Sequence, residues 1–445
     1  MSTATAPIPT TAVRRRMYLT RRLRIAATML AGCAWATVSF FIDLPWIRDL
    51  GHTVTFPVAL FIVLGIAIIP GYLNLQLLAS VLLDRPKPLP HDLRDAPGVT
   101  VLVAAYNEAD EIERTLDALI AQDYPGDHAV IVIDDGSTDA TRDIVSAYSD
   151  RNPRVSLLCA DHGGKSAALN HGLAAADSPL IATVDADTLL VPSALRRAVT
   201  RLEIDGMVAC AGSVLARNSR QNLLARMQEW DYQLGITAVK RQQALLGGTL
   251  VAQGAFSVYR ADEVRAVGGW PDMIGEDIVV TWALLERGGV VGFEPTAIAF
   301  TTVPSDFRRF AVQRQRWARG MIEGLRTHGA ELLRRRAYWV HGVVADAIFP
   351  MLDLSYSLAI PAGIVLACFG NFAIVGPLTL LVLPLNLLMS AALLHRERAV
   401  FREVGIRFRR NRLGFLVYFL GYQLVMSPIS CSGYAKELVG ARRVW

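Results

Sequence analysis

Charged residues and cysteine are both scarce in this chain of 445 residues. Asp, Glu, Lys and Arg make up 19% of it and hydrophobic residues 52%, with a mean hydropathy of +0.33. Because soluble domains usually carry about 25% charged residues, this balance excludes a disordered chain and argues against a purely soluble one. The five cysteines are scattered without a CxxC pair, so we expect reduced thiols facing cytosol or lipid rather than a disulfide framework or a zinc site.

The positive charge is concentrated in three arginine-rich stretches. Six Arg and no acid lie within 14–24, nine Arg against three acids within 306–336, and seven Arg against two Glu within 396–412. Each stretch adjoins a long apolar run. This placement favours an anionic membrane surface as the partner over nucleic acid.

Long charge-free runs are the second prominent feature. A helix needs ~20 apolar residues to cross a bilayer, and the runs of this kind are 25–42, 50–83, 354–395 and 413–435. Gly370-Asn371 divides the third run into two helices. We therefore predict five membrane spans, near 25–42, 58–82, 346–369, 372–395 and 413–433.

The arginines before the first span predict a cytoplasmic N-terminus. No small-residue cleavage site follows that span, so a retained anchor is favoured over a signal peptide. The connection 43–55 then lies outside and residues 84–345 lie in the cytoplasm, as in a multi-pass protein of the plasma or inner membrane. Five spans place the C-terminus outside, which conflicts with the positive charges of Lys436, Arg442 and Arg443 in that tail. Because Pro428 interrupts the last run, a re-entrant helix is the alternative.

The segment between the spans alternates strands and helices. The predicted strands are Val99–Ala105, Val130–Ile133, Arg154–Cys159 and Leu180–Val184, and the predicted helices are Glu108–Gln122 and Lys165–Ala176. This order predicts a doubly wound parallel sheet of the α/β class. Ligands of such sheets bind beyond the carboxyl ends of the strands.

Four acidic or basic motifs follow one another along this segment. They are Asp134-Asp135-Gly136, Asp185-Ala186-Asp187, Gly275-Glu276-Asp277 and Gln313-Arg314-Gln315-Arg316-Trp317. A single aspartate after a strand is usually a turn or cap residue. Four motifs in this order, between membrane spans, indicate a functional site instead.

Three further stretches strengthen the pattern: Ala105-Tyr106-Asn107-Glu108, Gly164-Lys165-Ser166-Ala167-Ala168-Leu169-Asn170 and Gln253-Gly254-Ala255-Phe256. With them the chain resembles the processive, membrane-embedded family-2 glycosyltransferases, which include cellulose, chitin, hyaluronan, chitooligosaccharide and poly-N-acetylglucosamine synthases. The resemblance covers about residues 99–325 by motif. It departs from the family at Ala104, where proline is usual, and at Gln253, where many members have a small residue.

The resemblance implies a cytoplasmic GT-A type, Rossmann-like domain flanked by transmembrane helices and amphipathic interface helices. The predicted divisions are a basic N-terminus 1–24, two transmembrane helices in 25–83, a linker 84–98, the glycosyltransferase domain 99–305, interface helices 306–345, two transmembrane helices in 346–395, a basic cytoplasmic loop 396–412, and a last transmembrane or re-entrant helix with the tail in 413–445.

Sugar transfer from a nucleotide sugar releases a diphosphate, and a divalent cation can neutralise the charge that gathers on it. Hard cations prefer carboxylate oxygens. The resemblance therefore makes Asp187 the main ligand of Mg²⁺ or Mn²⁺, while Asp185 contacts the metal and the ribose. One ligand plus one loop-capping aspartate is the alternative.

The nucleotide is expected to meet residues of several motifs. By resemblance Asp134 and Asp135 hold the uridine, with Tyr106 and Glu108 nearby, although one aspartate of the pair could merely cap the turn. Lys165 and Arg316 suit the diphosphate, since a helix N-terminus, a lysine and a guanidinium all attract phosphate. The predicted set for the nucleotide sugar is Tyr106, Glu108, Asp134, Asp135, Lys165, Asp185 and Arg316.

We predict Asp277 as the general base that takes the proton of the acceptor hydroxyl. Glu276 is assigned to the catalytic pair because like-charge repulsion raises the pKa of its neighbour. N-capping of a helix Ile278–Leu285 is an equally good reading of Asp277.

Gln313, Arg316, Trp317 and Gly320 share one helix face. The predicted acceptor site comprises Gln253, Gly254, Gln313 and Trp317, with the indole as a platform for a sugar ring. An interfacial helix is the alternative, and Arg308, Arg309, Arg319 and Arg334–Arg336 are expected to meet lipid. Asp346 and Asp353 fit either the polar interior of a polysaccharide channel or a helix end at the water boundary.

The leading hypothesis is a processive, inverting hexosyltransferase that polymerises a UDP-sugar into a β-linked polysaccharide and exports it through its own helices. UDP-N-acetylglucosamine is the favoured donor, with UDP-glucose and UDP-glucuronate as alternatives. A non-processive transferase acting on a lipid carrier and a transporter or scaffold with a degenerate domain are the rival classes. A small membrane accessory subunit or a homo-oligomer is left open as a partner.

Overall fold

The computed structural model of the protein describes residues 20–84, 88–90, 93, 95–335, 340–376 and 382–441. Most of the predicted N-terminus 1–24, parts of the linker 84–98, Arg336, Arg442 and Arg443 lie outside the described residues. An α/β domain occupies the middle of the chain, and long apolar helices precede and follow it.

Eight described strands form one sheet. They are β1 (Val99–Ala105), β2 (His128–Asp135), β3 (Val155–Ala160), β4 (Leu180–Val184), β5 (Leu189–Leu190), β6 (Ala209–Ala216), β7 (Phe256–Arg260) and β8 (Val291–Thr301), in the spatial order β3-β2-β1-β4-β7-β6-β8-β5. Strands β1 to β4 are parallel, as predicted. Beyond these strands the sheet is mixed rather than parallel, because β7 runs antiparallel to both β4 and β6, and β5 runs antiparallel to β8.

Helices cover both faces of the sheet. Two long apolar helices, α1 (Arg21–Thr53) and α2 (Phe56–Leu83), precede the domain. The helices of the domain are α3 (Ile112–Ile120), α4 (Thr141–Arg151), α5 (Lys165–Ala175), α6 (Ala194–Ile204), α7 (Leu223–Trp230), α8 (Ala238–Leu246), α9 (Ala261–Ala266) and α10 (Glu276–Glu286). One core cluster joins Val101 and Val103 of β1 to α3 and α6, and the other joins Leu102 to α5 and α10. A strand buried on both faces reads as a continuous apolar run, which is how β1 was recognised.

Four described helices are long and apolar enough to cross a membrane: α1 (Arg21–Thr53), α2 (Phe56–Leu83), α13 (Val340–Cys368) and α15 (Arg412–Leu438). The connection 43–55, which was predicted to lie outside, is mostly helical, because α1 continues through it to Thr53. Within this helix Asp43 accepts a hydrogen bond from the Ser39 hydroxyl at 2.9 Å. Pro428 lies inside the continuous helix α15, so it does not divide the last run.

The fourth predicted span, 372–395, differs most from the structure. Residues 371–376 are not helical, residues 377–381 lie outside the described part, and helix α14 (Val382–Val404) continues past the predicted end. The predicted loop 396–412 is therefore helical up to Val404. Glu397 is buried there beside Arg241, at 3.4 Å, because an acid paired with a buried guanidinium can remain inside the protein.

The predicted interface region 306–345 contains α11 (Phe307–Gly324), a π-helical turn (Leu325–Gly329) and the short α12 (Ala330–Arg334). Asp306 caps α11 by accepting the Arg309 N–H at 3.0 Å. Helix α13 begins by Val340, earlier than the predicted span at 346. Helix α11 packs against both α10 and α15, and so it connects the α/β domain to the last apolar helix.

Candidate active site

The carboxyl ends of β2, β1 and β4 are neighbours, because these strands are adjacent and parallel. This edge of the sheet therefore brings together Tyr106 after β1, Asp135 at the end of β2 and Asp185 after β4. The loops are tied to one another: the Asn107 N–H donates to the Ser137 hydroxyl at 3.0 Å, and the Glu108 N–H donates to the Thr141 hydroxyl at 2.8 Å.

The two aspartates of the first motif have different roles. Asp134 is fully buried and accepts the Ser137 N–H at 3.2 Å and the Arg142 guanidinium at 3.2 Å. Asp135 instead accepts the N–H groups of Gly163 and Gly164 at 2.8 and 3.0 Å. Asp134 thus caps the turn, whereas Asp135 fixes the loop that leads to Lys165.

His162 lies against Tyr106 at the mouth of this edge. The two rings stack with centroids 4.4 Å apart and an interplanar angle of 27°. The His162 Nδ1 is 2.9 Å from the Asp135 carboxylate. Tyr106 is 44% exposed, so its ring offers an accessible flat surface at the predicted uridine site.

Three carboxylates converge deeper in the site. Asp187 accepts the hydroxyls of Thr301 at 3.0 Å and Thr188 at 3.2 Å. Burial, followed by the charge of Asp185, raises the pKa of Asp187. Burial and the charges of Asp187 and Asp185 raise the pKa of Glu108 to about 7. Such excess negative charge is suited to bind a cation.

These carboxylates fit Mg²⁺ or Mn²⁺ as a partial site. The described residues contain no group of three or more His, Cys, Asp or Glu side chains arranged to hold a metal by themselves. Mg²⁺ needs only one or two protein carboxylates when substrate phosphates supply further ligands. The unfavourable charge on Asp187 and Glu108 is what such an ion would neutralise.

Lys165 begins α5 and is held inside the site. Its Nζ lies 2.5 Å from Asp185 Oδ1 and 3.7 Å from Glu276 Oε1. Burial disfavours its charge, but these carboxylates outweigh burial and raise the pKa of Lys165. Lys165 is thus only partly exposed, and it links Asp185, the predicted metal ligand, to Glu276 of the predicted catalytic pair.

Helix α10 starts at Glu276, with Gly275 as the N-cap residue. The capping alternative for Asp277 is wrong, since Asp277 lies inside the first turn and is half-buried. Burial raises the pKa of Glu276 to about 7; Lys165 and Arg316 oppose this and Asp277 adds to it. Like-charge repulsion from Asp277 thus raises the pKa of Glu276.

Helix α11 crosses the start of α10 at two glycines. A Cβ built on Gly275 would lie 2.4 Å from the Cα of Gly320. The Gly275 N–H also donates to the Glu323 carboxylate at 2.9 Å. These contacts bring the fourth motif next to the third, as the shared face of Gln313, Arg316, Trp317 and Gly320 suggested.

The side chains of the fourth motif take different positions. Trp317 is 38% exposed, and Gln313 Oε1 is buried with no hydrogen-bond partner among the described residues. Arg316 is half-buried and acts electrostatically on Glu276. Arg319 was expected to meet lipid, but it is buried and forms an ion pair with Glu437 at 2.9 Å. Arg308 and Arg309 are exposed.

Of the predicted acceptor residues Gln253 and Gly254, Gly254 lies beside Lys165 and Glu276. Gln253 donates to the Gly212 carbonyl at 2.8 Å. A Cβ on Gly254 would lie 2.6 Å from the Lys165 Nζ, so the backbone passes directly over that lysine. The segment before Gln253 is held by a hydrogen bond, because the buried Lys240 donates to the Val251 carbonyl at 2.6 Å.

Sequence reasoning missed His162, Lys240, Arg314 and Glu323. His162 is adjacent to the glycines before Lys165, and Arg314 and Glu323 belong to the helix of the fourth motif, so proximity in sequence was the available signal. Lys240 had none. Burial lowers the pKa of Lys240 to about 7, although the charge of Asp277 acts in the opposite direction. Only the folded structure reveals this burial.

Comparison with known proteins agrees with this architecture. The chain is 31% identical over 257 residues to the poly-beta-1,6-N-acetyl-D-glucosamine synthase of Staphylococcus aureus strain MSSA476, covering 57% of this chain and 62% of that protein. It is 30% identical over 230 residues to the Staphylococcus epidermidis synthase, covering 51% and 55%. The chain thus spans less than two thirds of these relatives.

The fold also matches a solved structure, the mannosyltransferase PcManGT from Pyrobaculum calidifontis in complex with GDP-Man and Mn²⁺. The TM-score is 0.56 at 20% identity, covering 95% of this chain and 100% of that one. The predicted GT-A type, Rossmann-like fold is confirmed. Residues 100–268 match the family described as Glycosyl transferase family 2.

Proposed function

We propose that the protein is a metal-dependent hexosyltransferase that transfers a sugar from a UDP-sugar to a growing β-linked polysaccharide. The observation that carries the proposal is the convergence of three motifs around Lys165, which contacts Asp185 and Glu276 and lies under Gly254. This convergence supports one site for the donor, the leaving group, the base and the acceptor.

The nucleotide end of the donor lies along the carboxyl edge of the sheet. The uracil packs at the exposed Tyr106 ring, whose loop is held by Ser137 and Thr141. Because Asp134 is buried in the turn, Asp135 and the loop it fixes shape this end of the site.

The diphosphate lies between the acidic cluster and Lys165. Asp187 and Asp185 would hold Mg²⁺ or Mn²⁺, which would supply positive charge to the leaving diphosphate. Lys165 and Arg316 add cationic donors on the protein side. As a phosphate approaches, it competes with Asp185 for the Lys165 ammonium.

Asp277 accepts the proton of the acceptor hydroxyl as that oxygen attacks the anomeric carbon on the face opposite to the leaving diphosphate. The new glycosidic bond therefore has inverted configuration. Glu276 holds Lys165 in place from the same helix turn. The terminal sugar of the acceptor stacks on Trp317 beside Gln313 and Gln253, where the unpartnered Gln313 Oε1 accepts a sugar hydroxyl.

UDP-N-acetylglucosamine is the donor that the named function of the staphylococcal relatives favours, and a β-1,6-linked product follows from the same source. UDP-glucose and UDP-glucuronate are the alternatives. We further propose that the protein is a multi-pass membrane protein with its catalytic domain in the cytoplasm.

Export through the protein's own helices is supported by a cavity of about 560 Å³. It lies between the apolar helices and reaches α8 and Gly248, next to the acceptor segment. Its lining is mostly apolar, but it includes the polar side chains Asn74, Gln242, Gln243, His341, Asp346, Asn386 and Gln423. Asp353 serves another purpose, since it joins α13 to α15 by accepting hydroxyls of Ser427 and Tyr434, each at 2.7 Å.

The test is to supply purified protein with a panel of UDP-sugars, to measure UDP release, and to digest the product with linkage-specific glycosidases. We expect release with UDP-N-acetylglucosamine and a long product. Release with a product of one added sugar on a lipid carrier would favour the non-processive alternative. No UDP release from any donor would exclude the enzyme class.

A further inference from the structure

The fourth motif assigns no role to Arg314, yet Arg314 is the more deeply buried of the two arginines of that motif. Its side chain is 1% exposed. Its guanidinium lies over the Trp317 indole with the Cζ 3.9 Å from the ring centroid. It also lies 5.1 Å from the Phe310 centroid and 5.8 Å from that of Tyr232.

An acidic residue from another element holds this guanidinium. Arg314 Nη2 is 2.8 Å from Asp231 Oδ2, and both side chains are buried. Asp231 lies in the π-helical turn Asp231–Thr237, where one extra residue per turn changes the direction of the side chains. Gly235 lies against it, since a Cβ there would be 2.7 Å from Asp231 Oδ1.

The contact chain then continues into the last apolar helix. Tyr422 of α15 lies close to this pair, since it interacts electrostatically with both Asp231 and Arg314. Tyr422 packs beside Tyr418, with centroids 5.0 Å apart. The exposed indole is thus connected to α15 through Arg314, Asp231 and Tyr422.

From these contacts we infer that Arg314 and Asp231 are positioning residues, which fix the plane of the Trp317 ring and couple it to helix α15. A guanidinium stacked on the inner face of an indole stabilises one ring orientation and leaves the outer face for a sugar. The buried ion pair with Asp231 fixes the position of the guanidinium, and so it restricts the indole to one orientation more strictly than apolar packing alone would. The expected effect on acceptor binding rests on the proposed acceptor role of Trp317. The inference about the orientation of the ring does not depend on that role.

The test compares Trp317→Ala with the paired variant Asp231→Asn/Arg314→Met, which leaves no lone buried charge. Acceptor KM for a short β-linked N-acetylglucosamine oligosaccharide and UDP affinity are measured on purified full-length protein. We expect the pair to raise acceptor KM on the order of tenfold, as for loss of a desolvated cation–π contact, with UDP affinity unchanged. Arg314→Lys should show partial rescue relative to Arg314→Met, and Arg308→Met, an exposed arginine of the same helix, is the matched control.

Combining the pair with Trp317→Ala should raise acceptor KM no further than Trp317→Ala does, because both act through one ring. Additive effects, or a normal acceptor KM in the pair, would overturn the inference. A normal acceptor KM in Trp317→Ala would instead overturn the acceptor role in the proposed function.

A second measurement does not depend on the acceptor. With 5-fluorotryptophan incorporated, the ¹⁹F resonance of Trp317 is assigned by its loss in Trp317→Phe. We expect it to shift or broaden in the paired variant and in Tyr422→Phe, which removes one hydroxyl from α15. An unchanged resonance in both variants would show that the indole is held without this chain of contacts.

Discussion

Gly320 crosses Gly275 so closely that a Cβ on Gly320 would lie 2.7 Å from the Gly275 Cα. Nothing larger than glycine fits at either position while the two backbones keep this distance. One helix bears Glu276 and Asp277 and the other bears Trp317, so this crossing sets the separation between the proposed base and the proposed acceptor platform. The Glu323 carboxylate accepts the Gly275 N–H beside it and fixes the rotation of one helix on the other.

We expect Gly320→Ala to reduce transfer sharply, because the added methyl group must push α11 away from Gly275. A displacement of about 1 Å in a catalytic arrangement can cost on the order of 10²-fold in rate. The measurement is the turnover rate per folded protein. Gly421→Ala in helix α15 is the matched control, since a Cβ there has nothing within 4 Å, and it should be neutral. Wild-type turnover in Gly320→Ala would mean that the crossing tolerates expansion.

The elements of the first half of the domain could be predicted because their signals are local. The strands Val99–Ala105 and Leu180–Val184 agree with the structure residue for residue, and helix α5 begins at the predicted Lys165. Buried parallel strands are continuous apolar runs, and β–α alternation gives their order. The antiparallel β7 could not be inferred, since its direction depends on how a connection of many residues packs.

The sequence points to the individual acidic residues of the candidate site but not to the contacts that they make. The motifs named Asp185 and Lys165 separately, and only the fold shows that they form an ion pair. The same holds for Asp134, whose burial in a turn is decided by the Arg142 and Ser137 contacts. Arg319 was misassigned to lipid because its partner Glu437 is distant in sequence.

Asp187→Asn should abolish UDP release, because the acidic cluster loses a charged oxygen ligand while its two threonine hydrogen bonds keep an acceptor. Wild-type protein in EDTA should behave likewise and recover on addition of Mn²⁺ or Mg²⁺. Metal-induced stabilisation, measured by thermal unfolding, should be weaker in the variant. Full turnover of the wild type in EDTA would contradict the metal assignment.

Glu108→Gln should change how stability depends on pH in metal-free protein. The pKa of Glu108 is raised to about 7 in the folded state, by burial first and by Asp187 and Asp185 next. The folded state therefore holds this proton more tightly than the unfolded chain, so wild-type stability gains as pH falls through about 7. We expect Tm in EDTA to rise more in wild type than in Glu108→Gln between about pH 8 and about pH 6. Equal slopes would mean that Glu108 titrates normally.

Asp277→Asn should separate chemistry from binding. The amide keeps the size of the side chain and its contact with the Ile278 N–H, which lies 2.9 Å from Asp277 Oδ1. It removes basicity, so transfer should fall by about 10²-fold or more, the scale of general-base catalysis. Calorimetric UDP affinity should stay at the wild-type value. A near-normal transfer rate would show that another group takes the acceptor proton.

Trp317→Ala tests processivity, which separates the polymer synthase from a transferase that adds one sugar. The indole is 38% exposed on its outer side and supported by Arg314 on its inner side, so its free face is available to a sugar ring. If it holds the terminal sugar between additions, its loss should shorten the polymer and leave UDP affinity unchanged. Trp317→Phe should retain part of the chain length, since a smaller flat ring remains.

A headgroup anchor predicts a different pattern for the same two variants. Anchoring makes the indole important for membrane stability, so the yield of folded protein would fall while each folded molecule would make polymer of normal length. Size-exclusion chromatography gives the folded fraction, and radiolabelled sugar incorporation with gel analysis gives chain length per folded molecule. Shortened polymer from well-folded Trp317→Ala, with an intermediate length from Trp317→Phe, would support stacking. Normal polymer from each folded Trp317→Ala molecule would remove Trp317 from the acceptor site.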